Sequence, residues 1–129
     1  MSYLADTTVF VAHLREDIKA TQFLKKEIPF ISTVTIAELI QGARDKKELK
    51  VVLNLISKFP EEEIGLKVPK KALELLTAFA ASHGIKFLDA LIAATALSNH
   101  SVLVTENIKH FKFIPELKVL SHSEAFEEA

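Results

Sequence analysis

The sequence predicts an α/β fold, a short-stranded parallel sheet with helices on both faces. Three observations carry this. Short apolar runs of strand length alternate with helical runs along the whole chain. The glycines and prolines fall between these runs or at their ends. Ser101-Val102-Leu103-Val104-Thr105 is apolar on both of its faces, the pattern of a covered parallel strand.

Tyr3-Leu4-Ala5 reads as a short buried strand ending at Asp6. Thr7 to Leu14 follows at once; its threonines can start a helix, although Val9, Phe10 and Val11 are also good strand residues. The reading is strand, tight turn, helix. Asp17 to Lys26 is a second helix with Phe23 and Leu24 inward, and Pro29-Phe30-Ile31-Ser32 a second strand. Thr33 to Ala43 is helical. Lys46 to Phe59 is also helical, with Leu49, Val52, Leu53 and Ile56 on one stripe, and Pro60 stops it. Glu63 to Leu66 is the candidate third strand. Pro69 opens a helix that continues over Lys70 to Ser82, with Leu73, Leu76, Phe79 and Ala80 on one face, and Gly84 closes it. Phe87 to Leu97 is rich in Leu and Ala and apolar on all sides, so it predicts a helix inside the domain. Ser101 to Thr105 is the fourth strand, Asn107 to Phe111 one helical turn or a loop, and Lys118 to Leu120 a fifth strand. Glu124 to Ala129 reads as a frayed terminal helix.

The totals narrow the function classes. A chain of 129 residues suits one domain, 1–129, with a moderate core. Hydrophobic residues at 49% and charged residues at 26% indicate a globular chain rather than a disordered one. A net charge of −1 does not advertise nucleic-acid binding, so a polyanion would need a local basic patch or a bound cation. The absence of cysteine excludes disulfides and thiolate metal sites. Met1 to Asp6 has no basic segment of the signal-peptide kind. The longest apolar run is about half a membrane span and carries Asp89. A soluble, cytoplasmic protein without membrane contact is expected. With three glycines there is no Walker loop or dinucleotide loop, and no Ser nucleophile elbow is present.

Asp89 is the most informative polar residue. A buried, unpaired carboxylate normally neutralises, pairs or binds a metal. Three and four residues on stand Ile92 and Ala93, so its own helix offers no cation; the nearest in sequence is Lys86. Asp6 closes the first strand, at the carboxyl rim where ligands bind in such sheets, or else caps the following helix. Glu38 has capping-box spacing from Thr35, and the stripe Ile36, Leu39, Ile40, Ala43 points elsewhere, so periodicity alone turns it to solvent. Glu106 and Asn107 follow the fourth strand, where Asn107 is either an N-cap or an oxygen ligand. Three carboxylates and an amide at one rim repel one another without a cation. Hard oxygen donors, with no Cys and no paired His, select Mg²⁺ or Mn²⁺ over Zn²⁺ and suit phosphoryl chemistry. His13, His83, His100, His110 and His122 show no ligand spacing and read as surface or cap residues. Arg15, Arg44, Lys86 and Lys109 flank the acidic positions and are candidate phosphate contacts.

At these residues the sequence resembles the PIN-domain family, in particular VapC-type toxins of toxin–antitoxin pairs, over nearly the whole chain. Tyr3-Leu4-Ala5-Asp6-Thr7 is similar to the family's opening strand and Asp-Thr-Asn motif. Thr35 to Ala43 is similar to its Glu-Leu-x-x-Gly-Ala helix, Asp89 to Ala96 to its best-known run, and Val104 to Phe111 to its Thr-x-Asn-x-x-x-Phe ending. The order and spacing of all four make the match. Thr8 stands where the family usually has Asn, and Asn107 where many members have Asp, which lowers the charge of the site.

The resemblance implies a three-layer α/β/α sandwich with a short-stranded, mainly parallel central sheet. It implies a Mg²⁺- or Mn²⁺-dependent endoribonuclease acting as a toxin on RNA, a homodimer, and a cognate antitoxin whose C-terminal segment covers the site. Residue by residue, it makes Asp6 and Asp89 the principal metal ligands, with Glu38 a ligand directly or through water. Asn107 and Thr105 complete the rim, and Thr7 and Glu106 support it. This overrules the solvent-facing reading of Glu38. The alternative, motivated by Thr8 and Asn107, is a weak or inactive PIN-like module that binds RNA or protein. A phosphatase of the haloacid-dehalogenase kind needs a second acid two residues after the strand-ending Asp, where this chain has Thr8.

Overall fold

The structure, a computed structural model, describes residues 2–128. Its strands are Tyr3–Ala5 (β1), Phe30–Ser32 (β2), Glu61–Glu62 (β3), Val102–Val104 (β4) and Val119–Leu120 (β5). They form one sheet in the order β3-β2-β1-β4-β5, and every pairing is parallel. Leu4 lies opposite Phe30 on one side and Leu103 on the other. The helices are Thr7–Leu14 (α1), Ile18–Glu27 (α2), Thr33–Gly42 (α3), Lys46–Ile56 (α4), Val68–His83 (α5), Phe87–Ser98 (α6) and His122–Glu128 (α7). A 3-10 turn covers Ile108–His110.

Strand alternation sorts the core into two layers. Tyr3, Ala5, Ile31, Val102 and Val104 join Phe10, Phe23, Leu24, Val52 and Ala125, from α1, α2, α4 and α7, on one face. Leu4 and Leu103 point the other way, into Ala72, Leu75 and the small residues Ala90, Ala93, Ala94 and Ala96 of α5 and α6. Helix α3 crosses between the layers, giving Val34 to one and Leu39 to the other. The result is the expected α/β/α sandwich. Phe10, Phe23 and Phe111 are fully buried, and each contributes roughly 1.5–3 kcal/mol by leaving water.

Local chemistry starts the helices. Asp6, Asp17, Ser32 and Asp45 are N-caps that accept the amides of Thr8, Ala20, Thr35 and Glu48 at 3.0, 3.1, 3.1 and 2.8 Å. Each such cap is worth about 1 kcal/mol. Gly84 ends α5 at φ 67°, a left-handed conformation that glycine adopts without strain.

Four expectations shift. The third strand begins directly after Pro60, because Ile31 donates to the Pro60 carbonyl at 2.9 Å and pairs with Glu61. Ile64 and Leu66 lie beyond it and are exposed. An edge strand with one partner tolerates charged residues that a central strand does not. Helix α4 buries Val52 and Leu55 and leaves Leu53 exposed, and α5 buries Val68, Ala72 and Leu75 and leaves Leu73 exposed. The first turn of α6 is open, with Phe87 and Leu88 nearly half-exposed. The last helix starts at His122, two residues early, because Ser121 and Glu124 form a reciprocal capping box. Among the described residues no helix is long and apolar enough to cross a membrane.

Candidate functional site at the carboxyl rim of the sheet

The chain runs outward from β1 through β2 to β3, then returns to the other side of β1 with β4. Such a reversal leaves a crevice at the carboxyl ends of the two strands, where α/β sheets bind ligands. Asp6 follows β1 and Thr105 follows β4, and the Asp6 amide donates to the Val104 carbonyl at 3.0 Å. The crevice is therefore built around these two residues.

Asp6 is both the cap of α1 and the buried carboxylate of the rim. One oxygen, Oδ1, accepts the Thr8 amide at 3.0 Å and a short hydrogen bond from the Thr8 hydroxyl. The other, Oδ2, accepts the Thr105 hydroxyl at 2.6 Å. Only 4% of Asp6 remains exposed. Burial pushes its carboxyl up to about 6, against the opposing pull of the Thr105 and Thr8 hydrogen bonds, and the charge of Asp89 adds to the rise.

Glu38 does not close a capping box. Ser32 caps α3, and Glu38 Oε1 instead accepts the Thr7 hydroxyl at 2.6 Å. Thr7 Oγ1 also lies 3.1 Å from Thr35 Oγ1, so the start of α1 is stitched to α3. Asp89, in the first turn of α6, is half-buried. Burial raises its pKa, His110 opposes the rise, and Glu38 contributes to it. Asp6 thus feels Asp89, and Asp89 feels Glu38. Asp6 at the cap of α1, Asp89 on α6 and Glu38 on α3 form a chain of neighbouring carboxylates along one rim, with repulsion a smaller cause than burial. The His110 imidazole stands beside this rim, its Nδ1 3.7 Å from Asp89 Oδ2.

Thr105 is fully buried and relays the rim: its hydroxyl oxygen accepts the Asn107 amide at 3.0 Å while its proton goes to Asp6. The Asn107 side chain is exposed. Glu106 turns away. Its amide donates to Thr8 Oγ1 at 2.9 Å, and its carboxylate accepts the His122 amide at 3.0 Å. Of the candidate phosphate contacts, Arg44 is taken by Glu48 at 2.7 Å. It lines, with Thr7, Val11, Leu14, Arg15 and Glu38, a cleft of about 500 Å³ beside the rim. A larger cavity of about 850 Å³ lies at the opposite end of the sheet, around Ser101 and Lys118, and takes in none of the rim residues.

The donor set, all carboxylate and hydroxyl oxygen, fits a hard divalent cation. Burial raises Asp6 and Asp89 most and repulsion between neighbouring carboxylates adds to it; a bound cation would offset both. Among the described residues, however, no three acidic or histidine side chains stand close enough together to hold a metal ion as they are.

Sequence reasoning missed two histidines. His110 sits against Asp89 through the 3-10 turn, and nothing in the spacing marks that contact. His122, read as a surface or cap residue, is 3% exposed. The Ser121-x-x-Glu124 box was its signal, since it fixes the start of α7 at position 122.

Comparison with known proteins agrees with this fold. The family model described as PIN domain matches residues 3–116. Ribonuclease VapC10 of Mycobacterium tuberculosis is 35% identical over 120 residues, covering 89% of this chain and 90% of that protein. Ribonuclease VapC19 of the same organism is 31% identical, covering 89% and 96%. Among solved structures, VapBC2 from Rickettsia felis bound to a promoter DNA fragment superposes with a TM-score of 0.81 at 27% identity, covering 94% of this chain and 98% of that one. A toxin–antitoxin complex from Klebsiella pneumoniae gives 0.79 at 26%, covering 95% and 99%. The chain belongs to the PIN-domain family, and its curated relatives there are VapC ribonucleases.

Proposed function

We propose that the chain is a Mg²⁺- or Mn²⁺-dependent endoribonuclease, the toxin of a toxin–antitoxin pair. One observation carries the reading: at the switch point of the sheet the buried Asp6 lies within electrostatic reach of Asp89, and Asp89 of Glu38, although the three come from separate parts of the chain. A structural role needs no such arrangement.

Asp6 and Asp89 would hold the cation, with Glu38 a ligand directly or through water, and Asn107 completing the rim. When bound, the ion supplies charge neutralisation at the phosphate and lowers the pKa of water. The chain's own residues set the geometry. Thr8 and Thr105 fix both oxygens of Asp6, so its carboxylate does not rotate. Thr7 does the same for one oxygen of Glu38. In hydrolysis, water attacks phosphorus in line and the 3′-oxygen leaves, giving a 5′-phosphate end; the rim holds the phosphodiester in that orientation.

The partners follow the same reading. The cleft beside Glu38 is walled by partly exposed Leu14 and Val51 and edged by Arg15, which suits an antitoxin segment with apolar and acidic residues. Exposed Ile40, Phe87 and Leu88 are candidates for a homodimer contact.

RNA cleavage with added Mg²⁺ or Mn²⁺ tests the enzyme. Wild type should cut, and Asp6→Asn and Asp89→Asn should lose at least two orders of magnitude. Equal cleavage by all three would sink the idea. The open spacing of the carboxylates supports a second reading, a PIN-like module that binds RNA or protein with little or no catalysis. Calorimetric titration with millimolar Mn²⁺ separates the two: heat that vanishes in Asp89→Asn supports the enzyme, and no heat in wild type supports the module.

A further inference from the structure

His122 is a buried ionisable side chain that the proposed chemistry leaves unused. It stands in the first turn of α7, 3% exposed, between two carboxylates. Its Nε2 is 3.6 Å from Asp17 Oδ1, at the cap of α2. Its Nδ1 is 2.9 Å from Glu106 Oε2 but out of hydrogen-bond alignment, and it has no other partner among the described residues. The same Glu106 oxygen accepts the His122 amide at 3.0 Å. A buried polar atom this close to a carboxylate is explained if its place is set by what it holds.

What it holds leads to the rim in three steps. The Glu106 carboxylate is held by His122 twice, by its main-chain amide at 3.0 Å and by the ion-pair contact of Nδ1 at 2.9 Å, and only the second depends on the side chain. The Glu106 amide, two residues beyond Val104 of β4, donates to Thr8 Oγ1 at 2.9 Å. A hydroxyl has one proton, and with that amide donating into the oxygen, the Thr8 proton is left for Asp6 Oδ1. Thr105 Oγ1, 3.3 Å from Thr8 Oγ1, holds the other Asp6 oxygen and takes the Asn107 amide. The Glu106 peptide thus lies between the two hydroxyls that fix Asp6, and its free end is tied down by α7.

We propose that His122 is a positioning residue: by anchoring Glu106 it orients the Thr8 hydroxyl, and so the Asp6 carboxylate, from the far side of the β4 rim. It touches neither substrate nor the reacting atoms. The effect on catalysis rests on the ribonuclease reading above; the anchoring of Glu106 does not. Groups behind the residues that hold a metal typically change activity by 10- to 100-fold when removed, and this link is three bonds long, so the low end applies.

The test uses full-length His122→Ala and His122→Asn, the Asn amide standing where Nδ1 stands. Two readouts are taken well below each variant's Tm: amide hydrogen exchange at Glu106, and kcat and KM on RNA with Mn²⁺. In His122→Ala, exchange at Glu106 should rise by at least tenfold while Leu103 stays protected. The kcat should fall roughly tenfold with KM unchanged, and His122→Asn should recover most of both. A folded His122→Ala with wild-type exchange at Glu106 and wild-type kcat overturns the proposal; a lower Tm with unchanged kcat overturns it as well. Should His122→Ala not fold, exposed Glu106 gives the same test from the other end. Glu106→Ala should reproduce both the loss in kcat and the rise in exchange; a folded Glu106→Ala with wild-type kcat would mean that His122 does not position the rim through Glu106. If wild type itself does not cleave RNA, the ribonuclease reading fails, and exchange at Glu106 alone decides the anchoring.

Discussion

Asp6 does two jobs that pull against each other. Its position as N-cap of α1 favours the charged form, through the Thr8 amide and the field of the helix. Its burial favours the neutral form, and burial wins, raising the carboxyl from 3.8 to about 6. The sign of the stability effect follows. The folded state binds this proton more tightly than the unfolded state, so the contribution is fully present below pH 3.8 and is lost as pH rises to about 6. With divalent cations removed by chelator, Asp6→Asn should therefore be more stable than wild type at pH 7, by about 1–2 kcal/mol, with the gain gone near pH 4. Urea melts at the two pH values measure it, and a variant less stable at pH 7 contradicts the assignment. Thr105→Val separates the other role. It removes the hydroxyl between Asp6 and the Asn107 amide but keeps the volume, so it should cost about 1–2 kcal/mol of stability and cut RNA cleavage by roughly 10- to 100-fold.

Among the elements, α2 and α6 show where local rules bend for the sheet. Helix α2 ends on Ile28 at φ 44°, left-handed, although Ile is β-branched and Pro29 follows. Ile28 is more than half exposed, so its side chain adds little to offset that strain. Ile28→Gly should raise stability by about 0.5–1 kcal/mol in a thermal melt, strain relief exceeding the entropy of glycine. Helix α6 is legible for a different reason. Its small residues let it lie against Leu4 and Leu103, and Ala93 is fully buried. Ala93→Leu should cost about 1–3 kcal/mol by overpacking, read as a lower urea midpoint at unchanged slope. The same features set what could be read in advance. The strand ends carrying Asp6 and Thr105 were legible, because a run apolar on both faces allows only a central parallel strand. The inward faces of α4 and α5 were not, since leucines such as Leu53 and Leu73 outnumber the positions the sheet can cover. The third strand was misread for the reverse reason, an edge pairing made through the backbone of Glu61 and Glu62 with no apolar signal. Glu38 was unreadable by spacing because its partner, Thr7, comes from another helix.

For the whole molecule, the decisive fact is the strand order. Reversal of direction between β1 and β4 brings together residues about a hundred positions apart, such as Asp6 and Thr105. The fold thereby concentrates negative charge in one crevice of a chain whose net charge is only −1. On the proposed reading, that concentration makes stability depend on a cation. Without one, Asp6 takes up a proton as pH falls through about 6; a cation bound there would compete with that proton, so that binding and proton release would be linked. A ligand that binds only the folded state at 100 times its Kd stabilises by about 2.7 kcal/mol. Wild type should therefore gain several degrees in Tm with excess Mn²⁺ at pH 7. The gain should shrink steadily from pH 7 to pH 5, as protons compete for Asp6, and should vanish with chelator. Asp6→Asn and Asp89→Asn should show little gain at either pH. A gain that is independent of pH, or equal in the variants, would locate the cation away from the rim, whereas a gain lost in both variants would make the crevice between β1 and β4 the place where fold, charge and chemistry meet.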